Sequence, residues 1–261
     1  MSTIAKERSL VCLFWLSNLL TIPDVLHRNH GRRPGSSAVV DDNRRLNQRE
    51  LVERSWSVAN GLARLGVRPG DTVAILCGNG IFSAETILGA IAAGAVAAPL
   101  SWRWSPAELE HGLSDSRAKV VLADREFAGN VQDLIDSGKA PAVTHLVTEG
   151  PDFETFLGPP STPDVAVVPN SPALMLYTGG TTGASKGVLL SHTNVMANAI
   201  DEIVDTDMEA DDVTLLIEDQ CPRASGSYIN AQGVDGFLRC FWPRRLIVYG
   251  KALFLRHTKK R

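Results

Sequence analysis

The residues whose types and spacing could do chemistry are Thr178, Gly179, Gly180, Thr181, Thr182, Gly183, Ala184, Ser185, Lys186 and Gly187. The chemistry they suit is the holding of a polyphosphate. Glycines allow backbone amides to turn toward an anion, and threonine hydroxyls add donors. Lys186 supplies a compact positive charge at the end of the run. A Walker A loop is a poor description, because that motif needs Gly-Lys-Ser/Thr opening a helix. Here Ser185 precedes the lysine, and a strand-like Val188-Leu189-Leu190 follows. A hairpin turn rich in Gly and Thr, with a solvated lysine, has the same composition, so composition alone leaves both readings standing.

The elements around this run must place it. Ala173 to Tyr177 is an apolar stretch that reads as a buried strand entering the loop. Further back, Asn47 and Glu50 stand three apart as a capping box that predicts a helix start. Leu51, Val58, Leu62 and Leu65 then recur at helical spacing. Gly66 and Pro69 end that helix, and Thr72 to Leu76 reads as a short buried strand. Ile81 to Ala95 predicts a helix in which Gly89 and Gly94 allow close packing against a sheet, followed by a strand over Ala95 to Leu100. Ser105-Pro106-Ala107-Glu108 is a second capping box; Leu109 and Leu113 give its helix an apolar face, and Lys119 to Ala123 reads as the next strand. Alternating strands and helices predict an α/β fold with parallel pairing. Residues 148–172, rich in Pro and Gly, read as a connecting loop and not as a domain boundary.

The 261 residues carry a formal net charge of −3 with 44% hydrophobic residues, a composition that excludes nothing but a strongly basic nucleic-acid binder. Cys12, Cys77, Cys221 and Cys240 form no CxxC pair, so no zinc site or disulfide framework is expected, and the metal-ligand set is empty. Lys6 and Arg8 precede the apolar run Leu10 to Leu20, which is too short to span a bilayer and has no small-x-small cleavage site after it. The expectation is a cytoplasmic protein with at most weak membrane contact. From Ile217 to Arg261 there are nine Lys/Arg against three Asp/Glu, so the tail is basic while the rest is acidic.

The stretch Tyr177 to His192 (YTGGTTGASKGVLLSH) resembles the signature of the adenylate-forming superfamily, Tyr-Thr-Ser-Gly-Thr-Thr-Gly-x-Pro-Lys-Gly. That superfamily includes acyl- and aryl-CoA synthetases, peptide-synthetase adenylation domains and luciferases. Gly179 stands for the usual serine and keeps the loop permissive. Ser185 stands for the usual proline and removes a rigid turn before Lys186. Leu46 to Asn79 and Glu85 to Asp124 are similar to two further blocks of the family, which are scaffold.

The resemblance implies the N-terminal portion of the family's large domain, with mixed sheets flanked by helices in an αβαβα arrangement, truncated. It divides the chain into an atypical extension (1–19), a partial AMP-binding domain (20–216) and an atypical basic tail (217–261), with the family's C-terminal domain absent. It implies carboxylate activation by Mg2+-ATP as an acyl-adenylate, then transfer to coenzyme A. Thr178 to Gly183 would hold the β- and γ-phosphates, and Lys186 would neutralise the departing pyrophosphate as the catalytic residue. His192 is read as a structural residue capping the helix that follows it. The acid is open among fatty, aromatic and amino acids, with a bacterial fatty-acyl-CoA synthetase as the nearest resemblance.

Past Leu216 the pattern stops. The Pro-x-x-His segment, the adenine loop, the magnesium glutamate, the ribose aspartate and the C-terminal lysine that the resemblance implies are not found in the sequence; Tyr249-Gly250 is followed by no glutamate. Three accounts of the tail stand: an out-of-frame ending, a genuine ending with an acidic or membrane partner, or a strand over Arg245 to Tyr249 that closes the domain. The expectation for the chain is an inactive ligase fragment; the alternative is a non-catalytic nucleotide-phosphate-binding module with a docking tail.

Overall fold

The computed structural model describes residues 20–178, 184–205, 213–216 and 246–249. Helix α1 (Ile22–Arg32) starts at Thr21, whose hydroxyl and backbone exchange hydrogen bonds with Asp24 as a capping box. Strands β1 (Ser37–Val40) and β2 (Arg45–Asn47) then pair antiparallel. Helix α2 (Gln48–Arg64) begins at the expected box: Asn47 Oδ1 accepts from Glu50 N at 2.9 Å, and Glu50 accepts from Asn47 N at 2.8 Å. Gly66, at φ +81°, makes the left-handed exit for which glycine carries no steric cost.

From there strand and helix alternate: β3 (Thr72–Leu76), α3 (Ile81–Ala92), β4 (Val96–Pro99), α4 (Pro106–Ser116), β5 (Val120–Ala123), α5 (Ala128–Asp136), β6 (His145–Thr148), α6 (Pro151–Phe156) and β7 (Pro172–Thr178). Strand β8 (Lys186–Ser191) and helix α7 (His192–Asp205) follow, then β9 (Val213–Leu216) and β10 (Leu246–Tyr249). The larger sheet runs β6-β5-β3-β4-β7-β8, parallel except for the last pair. The connection from β3 to β4 runs one way across the sheet, and those from β4 to β5 and β5 to β6 run the other way. Their helices accordingly lie on opposite faces, as a constant crossover hand requires. Val73 and Ile75 point into the core shared with α1, α2, α3 and α6, whereas Ala74 and Leu76 point into the core under α4 and α5. This is the period-two alternation of a strand buried on both faces.

Two sequence expectations change. The 148–172 segment is not all loop, since α6 lies within it, with Pro151 at its start and Phe153 and Phe156 buried. Gly89 serves helix packing and not contact with a sheet: a Cβ there would strike Val58 of α2. Gly94 lies beyond α3, in the turn to β4, at φ +70°. A strand, one of the three accounts of the tail, forms over Leu246–Tyr249. It lies in the smaller sheet, order β2-β1-β10-β9, parallel to both of its neighbours.

A charge network ties three helices together. Glu85 on α3 is 0% exposed and is bound by Arg54 of α2, which also donates to Glu154 of α6 at 2.8 Å; Arg44 lies 3.8 Å from Glu85. Burial opposes the Arg54 charge, but the hydrogen bonds to Glu85 and then Glu154 hold its pKa above the ordinary value.

Among the described residues no helix is long and apolar enough to cross a membrane. The apolar run from Leu10, apart from Leu20, lies outside them.

Candidate phosphate-binding site

Strands β3 to β7 are mutually parallel, so the loops that leave their carboxyl ends share one edge of the sheet. Ligands of open α/β sheets sit at that edge. The loop leaving β7 is the Gly/Thr run found in the sequence. It returns along β8, antiparallel to β7, so the run is the mouth of a hairpin.

Register places Thr178 directly opposite Lys186, with Tyr177 opposite Gly187. Directly opposed residues share a face, about 5 Å apart at Cα. Two of the expected site residues are therefore brought together. Gly179, Gly180, Thr181, Thr182 and Gly183 lie outside the described residues. The strand expected at Val188–Leu190 forms, as part of β8. Val188 is 38% and Leu189 53% exposed, on a strand that is the last of its sheet among the described residues.

Lys186 is exposed, and among the described residues no carboxylate pairs with it. Its charge is thus available to an anion. The donor set, a lysine facing a threonine at a glycine-rich mouth, fits a polyphosphate chemically. No group of three or more His, Cys, Asp or Glu side chains that could hold a metal occurs among the described residues.

The hairpin is anchored from below by α4. Leu109 and Leu113 bury one side of that helix, and its Ser105 cap forms as expected, with Glu108 accepting from Ser105 N at 2.8 Å. Tyr177, one residue before Thr178, has one phenolic proton, shared between Gly112 O at 3.1 Å and Asp115 Oδ2 at 2.9 Å. Burial, then acceptance by Asp115, pushes the Tyr177 pKa up, so the phenol stays a donor. Trp104 packs edge-on against the Tyr177 ring at 5.3 Å. On the other arm His111 Nε2 lies 2.8 Å from Ser185 O. Sequence reasoning assigned no role to His111, Asp115 or the Tyr177 hydroxyl. The four-residue spacing of His111 and Asp115 places them on one helix face, but nothing local says which strand that face meets.

His192 caps a helix, though not the one it opens. Helix α7 is capped by Ser191 and Asn194, each accepting from the other's backbone N–H. The buried His192 ring instead accepts, through Nδ1, the N–H of Ile22 in the first turn of α1, at 3.2 Å. An amide N–H can only donate, so the ring proton sits on Nε2. Burial lowers the His192 pKa to about 4 against the opposing pull of Asp24, which keeps the ring neutral near pH 7.

A carboxylate is perturbed at the same edge. Asp124, just after β5, accepts from Gly78 N at 2.7 Å. Burial, with Glu149 and Glu126 nearby, raises its pKa to about 6 against that hydrogen bond.

Residues 26–220 match the family described as AMP-binding enzyme. Feruloyl-CoA synthase of an Amycolatopsis species is 36% identical over 183 residues, which are 70% of this chain and 36% of that protein. The fatty acid–[acyl-carrier-protein] ligase ScoC of Streptomyces coeruleorubidus is 32% identical over 174 residues, 66% of this chain and 32% of that protein. The chain spans about a third of the length of these curated relatives. Among solved structures, the N-terminal domain of FACL13 from Mycobacterium tuberculosis superposes with a TM-score of 0.79 at 23% identity, over 89% of this chain and 57% of that one. MbtA from Mycobacterium smegmatis gives 0.77 at 27% identity, over 89% and 44%. The family match spans the parallel sheet and the hairpin together, and the solved structures carry the same fold; the chain belongs to the AMP-binding, adenylate-forming enzyme family.

Proposed function

We propose that this chain supplies the phosphate-binding hairpin of an ATP-dependent acid–thiol ligase and that residues 1–261 alone do not complete the reaction. The observation that carries the reading is the pairing of Thr178 with an exposed Lys186, which has no carboxylate partner among the described residues, at the carboxyl edge of the sheet. Lys186 places its charge against the β- and γ-phosphate oxygens and stabilises the pyrophosphate as it departs. Thr178 offers a hydroxyl donor beside it, and the family resemblance assigns Gly179 to Gly183 to the same phosphates. Such preorganised charge is the largest single contribution a site of this kind makes. When bound, Mg2+-ATP supplies the anhydride whose cleavage drives carboxylate activation, and coenzyme A is the acceptor thiol. Relatives named for ferulate and for fatty acids support an aryl or fatty carboxylic acid as substrate.

The magnesium glutamate and ribose aspartate expected of the family are not found in residues 1–261, which supports inactivity of this chain alone. Carboxylate-dependent ATP–pyrophosphate exchange tests this directly. No exchange is expected, and exchange clearly above a Lys186→Ala control would overturn the proposal of inactivity.

The position of β10 between β1 and β9 favours a second reading, a nucleotide-phosphate-binding module closed by its own tail. Saturable ATP binding without turnover, lost when residues 246–261 are deleted, is the outcome that reading requires.

A further inference from the structure

Lys186 opens an edge strand and has no carboxylate partner among the described residues, so its own side chain does little to aim it. Its placement depends on the backbone just before it. That backbone belongs to Ser185, a residue whose φ is free where a proline ring would fix it. The Ser185 carbonyl is held at 2.8 Å by His111 Nε2. A carbonyl only accepts, so the ring proton is on Nε2 and the bond is a donation from His111. His111 stands on α4, whose buried Leu109 and Leu113 fix it to the core. The same turn of α4 holds the other arm, through Tyr177 and its bonds to Gly112 O and Asp115. One helical turn thus grips the hairpin immediately before Thr178 on one arm and immediately before Lys186 on the other.

We infer that His111 is a positioning residue for Lys186: its bond to Ser185 O supplies the backbone rigidity that serine does not, and so keeps the lysine directed at a bound phosphate. This rests on the proposal that Lys186 meets phosphate. His111 touches no ligand in this account; it acts through Ser185.

The test uses the full chain, inorganic pyrophosphate titrated by calorimetry, and hydrogen exchange of the amides at 184–191. His111→Ala weakens pyrophosphate binding by about fivefold, the worth of one lost hydrogen bond, and speeds exchange at 184–191. His111→Gln keeps a donor near the Nε2 position and binds as the wild type does. Adding Ser185→Pro to His111→Ala restores both binding and protection, because the ring replaces the missing restraint. A merely structural role for His111 in α4 predicts no rescue by a substitution in another element. Wild-type binding and exchange in His111→Ala, with binding lost in Lys186→Ala, overturns the inference; so does a loss that Ser185→Pro fails to recover. Equal binding by wild type and Lys186→Ala overturns the phosphate reading itself, and with it the purpose assigned to His111.

Discussion

His192 Nδ1 accepts the backbone N–H of Ile22 across 170 residues of chain, joining the helix that follows the signature hairpin to the first described helix. Four amides at the start of a helix have no partner within it. Here Thr21 serves one of them, and an imidazole from the far end of the fold serves another. The segment that follows Lys186 is therefore tied to helix α1 by a buried hydrogen bond.

That bond predicts a pH dependence. The folded pKa of His192, about 4, lies below its ordinary value of 6.5, so between these values the unfolded chain binds the proton that the native chain refuses. The contribution is intact above pH 6.5 and is lost as the pH falls from 6.5 through 4, by about 3 kcal/mol in all. Urea unfolding at pH 7, 5.5 and 4.5 measures it. His192→Asn, which keeps an acceptor near Nδ1 and does not titrate, has a shallower slope over that window; an unchanged slope would show that the dependence comes from other groups.

Arg54→Met strands Glu85, which has no exposure to water and only Arg44 at 3.8 Å to replace the lost guanidinium. Breaking a buried pair from one side costs about 3–5 kcal/mol. Chemical denaturation of Arg54→Met is expected to show a loss of that order, and Arg54→Met with Glu85→Leu to recover most of it. A single variant that unfolds like the wild type would remove the network from the stability of the fold.

Asp124 runs the other way. Its folded pKa of about 6 lies above the ordinary 3.8, so the stability it contributes is present below 3.8 and lost as the pH rises through 6. Asp124→Asn keeps an acceptor for Gly78 N–H, removes the charge and can donate toward Glu149. The variant is expected to melt above the wild type at pH 8 and level with it at pH 4. A lower melting temperature at pH 8 would mean that the charged form is needed there.

How much of this was legible in the sequence follows the range of the interactions. The Asn47 and Ser105 boxes, the exit at Gly66 and the strand at Thr72 to Leu76 are each set within a few residues, and each forms as read. Helix α1 was missed, although Thr21 and Asp24 carry a local capping box. Helix α6 was hidden by the prolines around it, Pro151 being its own start signal. His111 and Ser185 lie 74 residues apart, and no spacing pattern records which helix turn will meet which loop. The exposure of Val188 and Leu189 was equally invisible, since an apolar strand reads the same at the edge of a sheet as in its middle.

The central claim is that the hairpin mouth at Thr178 and Lys186 is a phosphate site. Calorimetric titration of the chain with Mg2+-ATP, beside the Lys186→Ala variant checked for an unchanged melting temperature, tests it most directly. The account predicts saturable binding by the wild type that weakens at least tenfold in the variant, a loss of about 1.4 kcal/mol or more, as expected for removal of a charge-assisted contact. Equal affinity in the two proteins would contradict it and leave the hairpin a structural turn with a solvated lysine.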